Sequence, residues 1–406
     1  MSTNTMQSKG TSYDLITVSI IRDDETSYDI RNLVHVLEIY ESIYEFNMTG
    51  TLYINDAVGL IESLPMVGNE MLQVEFSVDD GDFTWKHEFE IISIEDVENK
   101  SDRLNTMILQ LASPQAMINA SSKISKFYTG TSSEHVENIA TNILNIDSEK
   151  LFIDPTENNK DIVVPNMRPY QYIDYLAQNS IEPNSNNTGA SFLFFENRDG
   201  FSFRPINSLV NDKLENIRFV FPSSLSNRVV DYPFVVLNYH FPKIFNIAQN
   251  LENGMYSSRN YTHNIITKEY KITDYQYVNQ FDNQNLMADN PTPLANKVFD
   301  PRAVDSFRPL NTDEHPSYTN QFVTSPRQSR TAQMDNNVMV VSCKGEPYTT
   351  VGNVVHFDIP STINSDTAIV NQNISGWFMI VEKKHSLTQL DYYTNLNVVK
   401  DSYNRS

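Results

Sequence analysis

Metal or acid–base chemistry would begin with histidine, and the chain has eight, at positions 35, 87, 135, 240, 263, 315, 356 and 385. No two are four residues apart, the spacing that lets a helix aim both rings at one zinc ion. None are two apart, the spacing of a strand site. CxxC, HExxH, GxxxxGK[ST] and GxSxG are all absent, so metal, phosphate-loop and serine-hydrolase chemistry lack their local signatures. The single cysteine, Cys343, lies in the β-like run VMVVSC and reads as a buried thiol filling core. His385, in VEKKHS near a strand end, reads as a structural hydrogen-bonding residue rather than a general base. The densest acidic cluster, Asp79-Asp80-Gly81-Asp82, lacks the ligand spacing and terminal Glu of an EF-hand. Between VEFSV and FTWKHEF it reads as a hairpin turn. Glycoside hydrolysis would need only two carboxylates held roughly 5 to 10 Å apart, and with 51 acidic residues the sequence nominates no pair. The expectation is therefore no catalytic residue, no metal ligand, no cofactor-binding residue and no cofactor.

Charge narrows the partners. Thirty Lys and Arg against 51 Asp and Glu give 30 − 51 = −21, spread along 406 residues. Such a field opposes adsorption to nucleic acid, which needs Lys and Arg to displace counterions from phosphates. It suits a protein that DNA merely passes, and equally one kept soluble by acidic surface. No run approaches the roughly 18 apolar residues of a membrane span. The start, MSTNTMQSKGTSYD, lacks the basic end and apolar stretch of a Sec-type signal. On that expectation the triplets Asn47-Met48-Thr49 and Asn373-Ile374-Ser375 are chance matches to glycosylation sites.

The elements that would position side chains are mostly strands. Tyr13–Ile21, Thr49–Ile54, Met71–Val78, His87–Ile94 and Thr106–Ala112 are short runs rich in Val, Ile, Leu, Phe and Tyr, separated by turn-formers. RNLVHVLEIYESIY, residues 31–44, reads as strand on its β-branched and aromatic content. Then the grammar changes. In GTSSEHVENIATNIL, Val136, Ile139, Ala140, Ile143 and Leu144 recur at helical spacing behind a Thr131–Glu134 capping box. RPYQYIDYLAQNS predicts a second helix, with Pro169 in its first turn and Tyr172, Ile173, Leu176 and Ala177 on one face. An aromatic hairpin follows, SFLFFE, the turn NRDG and the return strand FSFRPINSL. Its first strand is apolar on both faces, with Phe192 and Phe194 on one and Leu193 and Phe195 on the other. Its partner keeps Phe201 and Phe203 on one face and Ser202 and Arg204 on the other. These phenylalanines either fill core beneath the preceding helix or meet a neighbouring chain. The hairpin supplies only Arg198 and Arg204 to track phosphates, too few for a base-stacking platform. Strand patterning returns at Val229 through VVDYPFVVLNYH and YTHNIITKEYKI. It breaks over Tyr275 to about Thr331, an Asn-, Asp- and Pro-rich excursion, and resumes at Asn337.

The order of elements resembles a known family. Helix, SFLFFE, NRDG and FSFRPINSL resemble the corresponding part of the baseplate central hub proteins of contractile-tailed, T-even-like bacteriophages, and of the hub-like amino-terminal part of type VI secretion spike proteins. LYINDAVGLIESLPMVGNEMLQVEF, Leu52–Phe76, resembles their first tube-like barrel, with its Asp-led turn, Leu-Pro step and Gly-Asn-Glu corner. GEPYTTVGNVVHFDIP and ISGWFMIVEKKHSLTQLDYYTNLNVVKDS, within Gly345–Ser402, resemble their closing barrel, with a Val-Gly-Asn corner, a Ser-Gly step and a final Lys-Asp-Ser.

The resemblance implies a mostly β fold with a minority of α: two tail-tube-like antiparallel β-barrel domains plus an α/β insert domain. Residues 1–112 would form the first barrel and 113–226 an α+β domain with the helices and aromatic hairpin. Residues 227–275 and 332–406 would form the second barrel, and 276–331 an irregular excursion. It further implies a non-enzymatic virion protein of the tail baseplate, assembled in the host cytoplasm. As a homotrimer, it would join a sixfold tail tube or tube-initiator proteins to a threefold central spike protein. Tape measure protein and DNA would pass through its channel without specific binding. An acidic channel lining would keep DNA from sticking. Other readings stay open: the hub of a bacterial contractile injection particle, a tail-associated cell-wall hydrolase, and a receptor-binding tail protein, for which no fibre repeat is visible.

Overall fold

The computed structural model describes residues 13–22, 26–60, 64, 66–68, 70–78, 81–101, 104–157, 159–183, 191–221, 234–264, 267–288, 290, 292, 294, 296–310, 320–361 and 370–403. The chain is mostly β. The first third gives β1 (Tyr13–Ile21), β2 (Ser27–Asp29), β3 (Val34–Ser42), β4 (Thr49–Asp56), β5 (Met71–Val78), β6 (Phe83–Ser101) and β7 (Leu104–Ala112). They pair antiparallel in the order β3-β4-β7-β6-β5-β1-β2. Burial alternates along them, most plainly in β4 and β5, as expected of a sheet with one face in the core. Val18, Ile39, Leu52, Val74, Phe76 and Leu109 point into that core. The β1–β2 ladder continues one step further through the Ile30 N–H, which donates to Val18 O at 2.8 Å. Leu387 and Tyr392, from far along the chain, plug the same core. Phe83 opposes Val78, so β5 and β6 pair as a hairpin; of the acidic cluster between them, Asp79 and Asp80 lie outside the described residues.

A helical layer follows, with α1 (Pro114–Ser121), β8 (Phe127–Tyr128), α2 (Ser132–Asn142), β9 (Leu151–Ile153), β10 (Ile162–Val163), α3 (Pro169–Gln178), β11 (Phe192–Asn197), β12 (Gly200–Pro205) and α4 (Ile206–Asn211). The capping box at Thr131 is present, and Pro169 opens α3. In the hairpin β11–β12, Asn197 Oδ1 accepts from the N–H groups of Asp199 and Gly200 at 3.0 and 3.2 Å, which holds the two-residue turn. Gly200 sits at φ +140, and a Cβ there would lie 2.2 Å from Lys150 O, so no side chain fits. The return strand ends earlier than expected. Ile206–Asn211 is helical, because burying Ile206, Leu209 and Val210 against the second barrel outweighs the extended reading of INSL.

The rest comprises β13 (Lys213–Val220), β14 (Val236–Lys243), α5 (Ile247–Glu252), β15 (Ser257–Asn264), β16 (Tyr270–Gln276), β17 (Asp305–Leu310), α6 (Asn320–Met334), β18 (Asn337–Lys344), β19 (Val354–Asp358), β20 (Gly376–Thr388) and β21 (Tyr392–Lys400). The second barrel runs β14-β18-β21-β20-β19-β13, and a bridge from Val220 to Val235 brings β13 back to the start of β14. Cys343, Phe219, Phe357, Ile380 and Val398 fill it. β20 also pairs antiparallel with β3, so one continuous sheet runs through both barrels.

Three expectations are corrected. Lys213–Val220 is a wall strand of the second barrel, paired in parallel with β19. β15 and β16 are strands, as YTHNIITKEYKI predicts, but they pair with each other and with β17 in a separate sheet and not with the second barrel. The excursion is irregular only in part, since it contains β17 and most of α6, a fifteen-residue helix with Pro326 inside it. Its polar sequence hides a buried face, in which Ser329, Arg330 and Gln333 are buried through hydrogen bonds. The expected restart at Val229 lies outside the described residues.

Candidate functional site

The chain concentrates its buried charge where its parts meet. On β20 the inward positions Lys383 and His385 alternate with the outward Glu382, Lys384 and Ser386. β3 directs Leu37, Ile39 and Glu41 inward in the same way. The register sets Lys383 opposite Glu41. The Glu41 carboxylate accepts from His385 Nε2 at 3.2 Å and from the Thr350 hydroxyl. Tyr392 OH lies 2.7 Å from His385 Nδ1. Beside them, Lys383 Nζ donates to Glu346 Oε2 at 3.1 Å and to Thr349 O, and Glu346 Oε1 accepts from Thr349 N at 2.9 Å.

Burial alone would raise the Glu41 carboxyl. The His385 hydrogen bond, the nearby cation and the Thr350 hydroxyl overcome it and hold the group down to about 2. Burial and then Lys383 push His385 below its ordinary value, so the imidazole is neutral and donates Nε2–H to an ionised Glu41. Tyr392, raised by burial, keeps its proton and donates to Nδ1. A tyrosine, histidine and glutamate in line invite comparison with a catalytic relay. Glu41 and His385 are only 2% exposed and Glu346 and Lys383 1% or less, so the seam locks one barrel to the other rather than meeting substrate. His385 is thus the hydrogen-bonding residue that its setting predicts.

A second junction fastens the aromatic hairpin. Phe192, Phe194, Phe201 and Phe203 pack against α2 and α3, while Phe195 enters the core of the second barrel and meets the Val351-Gly352-Asn353 corner. The second apolar face of the strand therefore meets another domain of the same chain. At its end Glu196 accepts from Met48 N at 2.8 Å, and its other oxygen lies 3.7 Å from His87 Nε2. Burial pushes Glu196 up to about 7 and His87 down to about 4, so this contact is a weakly charged one and not a formed ion pair.

The third junction is α6. Arg327 donates to the carbonyls of Ala177 and Phe192 at 3.1 and 3.0 Å. Ser329 Oγ donates to Met255 O at 2.6 Å. Arg330 pairs with Asp401 at 2.8 Å, both groups 1% exposed or less, and also donates to Asn285 O. Asp401 and Ser402 in turn accept from Met287 N and Ala288 N. The final Lys-Asp-Ser is thus an anchor that ties the last strand to α6 and to the irregular loop.

The remaining signature residues hold corners. Asp56 accepts from Val58 N and Leu60 N, and Glu70 from Val67 N and Gly68 N. Asn353 Oδ1 accepts from Thr350 N, and Ser375 Oγ accepts from Ile359 N. Glu41, Glu196, Arg330 and Glu346 were not nominated from sequence. Their signal was indirect: a charged residue at an inward position of an otherwise alternating strand, as with Glu41 after Leu37 and Ile39. Among the described residues no helix is long and apolar enough to cross a membrane.

No protein-family model matches the chain. In sequence it is 20% identical over 407 residues to the probable baseplate hub protein gp334 of Vibrio phage KVP40, covering 94% of this chain and 93% of that one. In fold it is similar to the 43 kDa tail protein of prophage MuSo2 from Shewanella oneidensis, with TM-score 0.57, 9% identity and coverage of 97% and 100%. It is also similar to the tail protein of Neisseria meningitidis MC58, with TM-score 0.55, 11% identity and coverage of 96% and 97%. A chain of a Francisella PdpA–VgrG complex matches with TM-score 0.52 and 12% identity, over 97% of this chain and 58% of that one. From end to end, then, the chain is similar in sequence to a phage baseplate hub protein and has the fold of phage tail proteins.

Proposed function

We propose that the chain is a structural protein of a phage tail baseplate, and specifically its trimeric central hub. The observation that carries this reading is the pair of tube-like β domains joined in one sheet through β3 and β20. Three copies with two barrels each would set six similar units in one ring, so a threefold assembly could face both a sixfold tube and a threefold spike. Buried, interlocked charges fit this role, because a ring that transmits load needs its barrels fixed relative to each other. The division would run first barrel, helical domain, second barrel, with β15–β17 and α6 as a fourth part hung from the last. The ring would enclose a path for tape measure protein and DNA, and an acidic lining would repel DNA. The protein would be assembled in the host cytoplasm and carry no catalytic residue.

Mass in solution tests the reading. Light scattering is expected to give three times the chain mass alone, or that mass plus the spike in a complex with a candidate spike protein; a monomer in both, well above micromolar concentration, would overturn it. The fold shared with a chain of the PdpA–VgrG complex favours one alternative, the hub of a bacterial contractile injection particle. Presence of the protein in purified DNA-containing virions decides for the phage reading. Cleavage of peptidoglycan by the purified protein, abolished by one Asp or Glu substitution, would instead make it a hydrolase.

A further inference from the structure

The three-stranded sheet β16-β15-β17 is inside out. Along β15 the residues facing α6 are Ser258, Asn260, Thr262 and Asn264, all buried and all polar. Alternation therefore sends Arg259, Tyr261 and His263 outward. The register places Ile272 and Phe307 on either side of Tyr261, and Tyr270 opposite His263. Tyr270, Ile272 and Phe307 are 55%, 49% and 72% exposed. Their rings form a ladder: Tyr261 stacks on Phe307 at 4.6 Å with planes 8° apart, and on Tyr270 at 6.0 Å. A sheet that only had to cover its own helix would carry the opposite pattern, and large clustered apolar exposure of this kind marks an interaction surface.

Charge selects the occupant. The face and its border carry two internally matched pairs, Arg259 with Asp274 at 2.6 Å and Arg302 with Asp300 at 2.7 Å. Residues 257–276 hold Arg259, Lys268 and Lys271 against Glu269 and Asp274, 3 − 2 = +1, and residues 297–307 hold Lys297 and Arg302 against Asp300 and Asp305, 2 − 2 = 0. These segments total +1 in a chain of −21, which leaves −22 elsewhere. Two copies of so acidic a chain repel each other over most of their surface, and least where this sheet takes part.

We infer that the outer face of β15–β17 is a contact between copies of this chain, with Phe307 and Tyr261 at its centre and an acidic surface of the next copy at its rim. The inference rests on the hub reading and deepens it by naming a surface outside the barrels that closes the ring. Estimated from the size of the side chains, the ladder supplies roughly 300 Å² of apolar surface, about the centre of a standard interface of about 800 Å² per partner.

Cys343 is buried, so a Phe307→Cys chain carries one reactive thiol, and a benzophenone maleimide attached there reports what covers the face. In the assembled full-length protein, irradiation is expected to give a product of twice the chain mass containing only peptides of this chain. In parallel, Phe307→Glu, at an exposed position that leaves the fold intact by circular dichroism, is expected to raise the concentration for half-assembly about tenfold or more, as for a central aromatic anchor. If wild type assembles, yet Phe307→Glu assembles equally well and the probe captures only another protein or nothing, the contact is wrong while the hub reading stands. If wild type never leaves the monomer, with or without spike, both fall together.

Discussion

At the scale of single residues, the junctions turn buried charge into pH dependence, and Glu196 shows how. Its carboxyl faces Met48 N, Asn47, Ser113 and His87, with Glu41 acting at longer range. Burial raises it to about 7, above the 4.5 of an ordinary glutamate. Between those values the folded chain holds a proton that the unfolded chain has released, so folding is favoured below the lower value and loses stability as pH rises through the upper one. The cost at alkaline pH is about 3 kcal/mol. His87, lowered to about 4, acts in the other direction: it is stabilising when neutral, and that contribution is lost as pH falls from its ordinary value toward 4. Replacing Glu196 by Gln removes the first effect and keeps the second. Guanidinium unfolding of wild type and Glu196→Gln should therefore diverge between about pH 4.5 and 7, the variant becoming relatively more stable, with the difference constant above that. Parallel curves from about pH 5 to pH 8 would count against the assignment. Glu41, held low, contributes no slope in this window.

At the scale of elements, what was legible in the sequence followed apolar periodicity. β5 and the helices α2 and α3 could be read because an apolar run between turn-formers or a 3.6-residue repeat marks a face buried by apolar contact, and β3 because its content is β-branched and aromatic where its period is ambiguous. The two-faced strand β11 could be read for the same reason, down to its second apolar face. β15 and β16 were legible as strands but not as part of a separate sheet, because their polar face is the buried one, and their partner β17 was hidden in the Asn-, Asp- and Pro-rich excursion. α6 escaped notice altogether: it buries Ser, Gln and Arg side chains whose partners, Met255 O, Asn285 O and Asp401, lie far away in sequence. That mode of burial has a measurable consequence. Arg330→Met leaves Asp401 charged and without its cation in the interior, and should cost about 3 to 5 kcal/mol. Adding Asp401→Asn removes the stranded charge, so the double variant should be more stable than the single one. Denaturant midpoints for wild type, both singles and the double close this cycle. Additive effects would show that α6 is held by its other contacts and not by the ion pair.

At the scale of the whole molecule, the sheet running through both barrels and the charge of −21 pull in different directions. The shared sheet fixes the barrels within one chain, so assembling a ring costs no reorientation between them. The charge makes every approach of two copies unfavourable at long range. Net charge of one sign keeps such a protein soluble before assembly, and short-range apolar contact must overcome the repulsion once copies meet. In salt the repulsion is screened beyond about 8 Å at physiological ionic strength, while burial of apolar surface is untouched. Self-association through the faces proposed above should therefore tighten as sodium chloride rises from about 50 to 300 mM, opposite to an interface built on complementary charges. Sedimentation equilibrium at several salt concentrations measures it. Loosening with added salt would mean that copies are joined by matched ion pairs, and would shift the contact from the aromatic ladder to charged surface elsewhere on the chain.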